Sequence, residues 1–257
     1  MRKNSLSFMG IGVLVTLLTL ISAPVGATPI TFTGSGINSI TGQAISASAA
    51  FDIVGSDLQV TLTNTGADVM APSDVLTALF FNIAGNPLLS TSSAILAPGS
   101  SLLFGGTDPG GVVGGEWAYT NSASGAPGGA TEGISSSGLG ITYAGRFPGS
   151  NLQGPTSVDG VQYGITSGAD NPLTGNSAVT GSNALIQNSV VFLLSNLQPN
   201  FSLTQISNVS FQYGTSLGEP NLPSNPVPEP ATMLLLGSGL IGLAGYGRKK
   251  FRKQLPA

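Results

Sequence analysis

The most regular part of this chain lies between residues 44 and 64. Ala44-Ile-Ser-Ala-Ser-Ala-Ala-Phe-Asp-Ile-Val54 and Leu58-Gln-Val-Thr-Leu-Thr-Asn64 alternate apolar or small residues with polar ones, and Gly55-Ser56-Asp57 separates them. A period of two sends successive side chains to opposite faces of a sheet, so this stretch predicts a hairpin closed by a glycine-bearing three-residue loop. Ile30 to Gly34 and Ile206 to Tyr213 alternate in the same way and are read as first and last strands, lying side by side. Val75 to Ala84 and Ser189 to Ser195 are near-continuous apolar runs between turn formers, as expected of buried strands. Over residues 74–79 periodicity alone leaves a short helix open. Shorter strands are expected at Leu102–Phe104, Glu116–Tyr119, Leu139–Phe147 and Val161–Ile165. The Ser/Gly/Ala-rich stretch Asn121–Gly140 reads as loop, and residues 148–185 are dense in turn formers such as Pro148-Gly and Asn171-Pro. Many short strands, Gly/Pro turns and no long helix in the body predict an all-β fold, an antiparallel β-sandwich or jelly-roll-like body without internal repeats.

Both ends of the chain are apolar without a strand's alternation. Arg2 and Lys3 precede an uncharged run from about Leu6 to Ile21, and Pro24-Val25-Gly26-Ala27 comes next. That order predicts a signal peptide over residues 1–27, cut by signal peptidase between Ala27 and Thr28. At the other end Ala231 to Gly247 carries no charge, and as a helix it would be about 25 Å long, close to a hydrocarbon core of about 30 Å. Arg248, Lys249, Lys250, Arg252 and Lys253 adjoin it directly, five of the eight basic residues in the chain. Such a cluster holds its end of a membrane helix on the cytoplasmic side. Pro226, Pro228 and Pro230 are expected to keep the preceding segment out of any sheet ladder, as an exposed spacer. The predicted organisation is therefore a body at 28–220, a proline-rich linker at 221–230, a transmembrane helix at 231–247 and a basic cytoplasmic tail at 248–257. Gly237-Ser-Gly239-Leu-Ile-Gly242 has the spacing of a dinucleotide fingerprint but neither a strand before it nor an acidic residue after it. Close approach of a partner helix accounts better for its small residues.

Val227-Pro228-Glu229-Pro230-Ala231-Thr232, with the apolar segment and the basic end after it, resembles the PEP-CTERM sorting signal in motif, order and position. In that family the signal is read by an exosortase, a multi-spanning membrane protease or transpeptidase of Gram-negative bacteria, which cuts near the motif. The resemblance implies an inner-membrane intermediate and then a cell-surface or extracellular product. The same tail occurs on some ice-binding proteins, so it implies a route and no ligand. Ala49-Ala-Phe-Asp-Ile, Leu58 to Gly66 and Asp74 to Ile83 also look like bodies commonly attached to such signals, which brings no known activity.

Charge and composition narrow what the body does. Residues 28–227 hold ten acidic residues and one basic residue, Arg146, a net charge of −9. A cationic face is needed for nucleic acid or for anionic lipid, so both are excluded as partners of the body. There is no cysteine and no histidine, which removes disulfides, thiol nucleophiles, Ser-His-Asp triads and His-Glu-x-x-His zinc sites. The chain is read as a non-enzyme with no cofactor. Against that stand three weaker readings. Trp117 and Tyr119, with Tyr143, Phe147 and Tyr163, would offer a stacking platform to exopolysaccharide, although aromatics in a sandwich more often fill its core. Glu116 and Glu132 are the only central glutamates for a glycosidase pair, with Glu132 expected in a glycine-rich loop. Asp159 and Asp170 are the marginal choice for a calcium ion, although no EF-hand spacing occurs. Thr31-Phe-Thr33 and Thr61-Leu-Thr63 are too few to form the flat threonine array of an ice-binding face.

Overall fold

A computed structural model describes residues 28–105, 109–138, 147, 149–154, 160–227 and 238–240. Among them the chain forms fifteen strands. These are β1 (Ile30–Ile37), β2 (Ala44–Val54), β3 (Asp57–Asn64), β4 (Leu76–Ile83), β5 (Ser90–Leu96), β6 (Ser101–Leu103), β7 (Ala118–Thr120) and β8 (Glu132–Ser135). They continue as β9 (Ser150–Asn151), β10 (Ile165–Thr166), β11 (Leu185–Gln187), β12 (Ser189–Ser195), β13 (Ile206–Tyr213), β14 (Asn221–Pro223) and β15 (Asn225–Val227). The protein is all-β, and every strand pair but β10–β11 is antiparallel.

The first sheet has the order β15-β1-β2-β3-β12-β5. Its hairpin is the one the alternation predicts, with Ile45, Ala47, Ala49 and Phe51 of β2 and Leu58, Val60 and Leu62 of β3 buried. The turn is tighter than expected. Val54 pairs with Asp57, leaving only Gly55 and Ser56 between the strands, and Gly55 takes φ +65°, a conformation open to glycine. The second sheet centres on β4, with β13 along one edge and β8 and β10 sharing the other.

β4 is apolar but for Thr77 and Asn82 because both its faces are covered. Leu79 and Phe81 enter the main core between the sheets, whereas Ala78 and Phe80 pack outward with Ala118, Ala123, Ala130 and Phe147. No helix forms at 74–79; a single 3-10 turn at Pro72–Asp74 leads straight into the strand. Phe51 meets Phe81 edge to face at 5.3 Å, and Trp117 lies 4.9 Å from Phe192, so ring contacts tie one sheet to the other.

Four expectations change. The strands at 30–37 and 206–213 do not lie side by side, since β1 pairs with β2 and β15, and β13 with β4 and β14 in the other sheet. Asn121–Gly140 is not all loop, since Glu132–Ser135 is β8, hydrogen-bonded between β4 and β7. Residues 90–96, which carry no strand signal in the sequence, form the edge strand β5. The stretch 221–230 is not simply a linker, since Asn221–Pro223 pairs with β13 and Asn225–Val227 with β1. Pro226 is tolerated there because β15 is an outermost strand, where a residue without an N–H withholds no ladder bond if its nitrogen faces outward. The expected strand at 139–147 lies outside the described residues, except for Phe147.

The register fixes where the chain enters and leaves. Thr31 pairs with Val227, and β15 runs against β1, so residue 28 and the chain beyond residue 227 emerge at one pole of the body. The Gly55–Ser56 turn lies at that pole, joined to the 196–200 loop by the Leu197 amide donating to the Ser56 carbonyl at 3.1 Å. Asn38, Asp74 and the loops 65–70 and 167–183 lie at the other.

Candidate functional site

Two places in the molecule concentrate chemistry. The first is the junction between body and C-terminal segment. Thr28 and Pro29 are exposed, and Val227 ends β15 beside Thr31. Pro228, Glu229, Pro230, Ala231 and Thr232 lie outside the described residues, as do Ala27 and the basic cluster Arg248, Lys249, Lys250, Arg252 and Lys253. Within the expected membrane helix only Ser238–Leu240 are described; they are helical and exposed. Among the described residues no helix is long and apolar enough to cross a membrane.

The second place is a carboxyl group inside the core. On β8, Glu132 and Ile134 point to the same face, toward the other sheet, with Phe81 opposite Glu132. Glu132 is 0% exposed. One carboxyl oxygen accepts a hydrogen bond from the Tyr119 hydroxyl, and the other, Oε1, has no partner. Burial pushes its pKa up to about 7, against the smaller downward pull of the Tyr119 bond. Tyr119 is pushed above the ordinary tyrosine range, first by burial and then by the Glu132 carboxyl. A buried carboxylate with half its acceptors idle is costly, and holding the proton relieves that cost.

Tyr119 also borders solvent. With Leu88–Thr91, Thr120–Ser122 and Ser150 it lines a cleft of about 320 Å³. A neighbouring hollow of about 440 Å³ shares Asn121 and Ser122 and adds Asn86, Ser124 and Thr131. Hydroxyl, amide and apolar groups share the lining of the first, whereas the second, with Ala123, Gly125, Gly129 and Ala130 in its wall, is mainly apolar. The two lie at the pole where the chain ends emerge, since Ser195 pairs with Ser90 and Asn196 donates to the Leu88 carbonyl at 3.4 Å.

The stacking platform does not form around Trp117. That side chain is 0% exposed and packs on Phe192, leaving no indole face for a sugar ring. Tyr163 is buried in the same core, Phe147 is buried on the outer side of β4, and Tyr143 lies outside the described residues. Glu116 is half-buried in the turn before β7, and its amide donates to the Val113 carbonyl at 3.0 Å. Glu132 lies on a core strand instead of the expected glycine-rich loop.

Of the calcium candidates, Asp159 lies outside the described residues. Asp170 accepts from the Val69 amide at 2.9 Å, and its pKa is raised first by burial, with the Asp68 carboxylate adding to the rise. Asp68 is itself occupied by the Asn171 amide and the Thr174 hydroxyl. Among the described residues no three acidic side chains gather as a metal site would require.

A further buried network has no signature in the sequence. Asp74 accepts from Asn38 Nδ2 and Thr41 Oγ1, each at 2.6 Å, and from the Met70 amide at 3.1 Å. Asn38 donates also to the Ser73 carbonyl at 2.9 Å, so this knot ties β1's exit to the start of β4. Its carboxylate is fully used by local donors, which makes it structural.

No curated protein and no solved structure matches the chain. One family model does, over residues 226–250, and its description is PEP-CTERM protein-sorting motif. The match begins inside β15 and runs through the proline motif and the apolar segment to Lys250. By that match the chain carries the PEP-CTERM sorting signal, which implies export and sorting to the cell surface through an exosortase.

Proposed function

We propose that this protein is an exported component of the surface or extracellular matrix of a Gram-negative, polysaccharide-producing bacterium, with a structural or interaction role for its β body and no catalysis. It would pass through an inner-membrane intermediate held by residues 231–247 and be processed near Pro228-Glu229-Pro230. The observation that carries this reading is the sorting match at 226–250, adjoining a folded acidic body. The register supports it, because residues 28 and 227 leave the body at one pole, so the rest of the fold points away from the membrane at which both ends are processed. Intact-mass analysis of the exported protein, with and without the host's exosortase, tests it. A mature species that still carries Arg248 to Lys253 in the presence of the enzyme contradicts it.

A second reading, contact with exopolysaccharide, is favoured by the uncharged hydroxyl and amide groups of the cleft that holds Thr91, Thr120, Asn121, Ser122 and Ser150. Neutral polar groups of this kind suit a sugar, although Trp117 takes no part. Screening the mature protein and Asn121→Ala on a glycan array separates the two readings. Retention of a glycan by the wild type alone favours binding.

A further inference from the structure

The last stretch of sheet before the sorting motif is short and stands at an edge. Asn225, Pro226 and Val227 pair with Thr33, Phe32 and Thr31, and nothing among the described residues pairs with β15 on its far side. The chain just before it is held more firmly. Asn221–Pro223 pairs with β13 in the other sheet, and Ser224 returns to the Val209 carbonyl with its amide at 3.0 Å and its hydroxyl at 2.8 Å. The polypeptide thus crosses from one sheet to the other between residues 224 and 225, with a secure anchor behind and a three-residue ladder in front.

The reach of the chain limits access to the motif. From Val227 to Ala231 the chain makes four steps, at most about 14 Å when fully extended. If Asn225–Val227 leave the sheet, the last anchored residue becomes Ser224, and seven steps reach about 24 Å. A headgroup zone is about 5–7 Å deep on each side of the hydrocarbon core. With β15 paired, the chain length alone would therefore leave about 7–9 Å between the folded body and the headgroup zone for a protease to work in. A protease takes an extended run of residues into its cleft, and backbone already paired in a sheet becomes available only by local opening.

We propose that β15 is a release strap. The sorting protease obtains its substrate only when Asn225–Val227 lift from β1, and Thr31–Thr33 are positioning residues that govern access to the motif. The strap rests on the reading of this chain as an exosortase substrate.

The chain has no cysteine, so Thr33→Cys with Asn225→Cys adds a single pair, on directly opposed residues and outside the matched segment. Opposed antiparallel residues lie about 4.5–5.5 Å apart at Cα, which a disulfide spans. The full-length protein is expressed in the exporting host with and without the exosortase. Intact mass separates tail-bearing from processed forms, and thiol alkylation marks unbridged molecules. Wild type, each single-cysteine variant and alkylated molecules are expected to be processed, whereas the bridged form keeps Arg248–Lys253. A Gly-Ser-Gly-Ser insertion between Asn225 and Pro226, outside the matched segment, is expected to restore processing of the bridged form. Bridged molecules processed as fully as wild type overturn the strap, and so does an insertion that restores nothing. A pair that fails to bridge in the oxidising compartment overturns the pairing on which the strap depends. Absence of processing in the wild type, with the enzyme present, overturns the sorting reading instead.

Discussion

Replacing Glu132 by glutamine should change how the stability of the body depends on pH. In the fold this carboxyl titrates at about 7, against an ordinary value of 4.5. Between those limits the native state keeps a proton that the unfolded chain has released, so stability falls as pH rises. The contribution is complete below about pH 4.5 and is lost as pH passes through about 7. At 1.36 kcal/mol per pKa unit, the loss across that window is about 3 kcal/mol. A glutamine at 132 still accepts from the Tyr119 hydroxyl and cannot ionise, so the variant should lack this slope. Asp170, whose pKa is raised in the same direction, is present in both proteins and cancels in the difference. Urea unfolding of wild type and Glu132→Gln from pH 4.5 to 8 measures the effect, with the fluorescence of the single tryptophan, Trp117, as reporter. Parallel pH profiles for the two proteins would refute the account of a buried, proton-holding carboxyl.

Tyr119→Phe removes the donor to Glu132 and leaves both carboxyl oxygens without a partner; it should cost about 1–3 kcal/mol in urea unfolding. Because that bond pulls the Glu132 pKa down, the variant should also ionise at higher pH, visible as an upward shift in the same profile. Asp74→Ala strips an acceptor from Asn38, Thr41 and Met70 together and should destabilise by at least about 2 kcal/mol, read as a lowered Tm.

The parts of the fold legible in the sequence are those where one physical constraint dominates. β2 and β3 show their alternation because one face is buried and the other is not, and β4 is largely apolar on both faces because it is covered twice. β8 is hidden because Glu-Gly-Ile-Ser has neither signal: its glycine fits under Phe80 and Phe147, and its glutamate is buried against expectation. Gly133 illustrates the point, since a Cβ there would meet Phe80 at 3.1 Å. β5 reads Ser-Thr-Ser-Ser-Ala-Ile-Leu, polar because it is an edge strand. β15 is obscured by its proline, which breaks a central ladder, whereas an outer edge needs only alternate N–H groups. The sorting motif is legible over 226–250, since its signature is local and needs no tertiary context.

The meeting of residues 28 and 227 at one pole also determines what lies furthest from the attachment point. Ile37, Ile40 and Leu173, exposed by 68, 64 and 86%, crown the distal loops, while Asp68, Asp74 and Asp170 beneath them turn their charges inward onto backbone and side-chain donors. A layer of such bodies fixed by their C-terminal ends would therefore greet the environment with greasy tips, with the acidity of these three described carboxyls kept below the skyline.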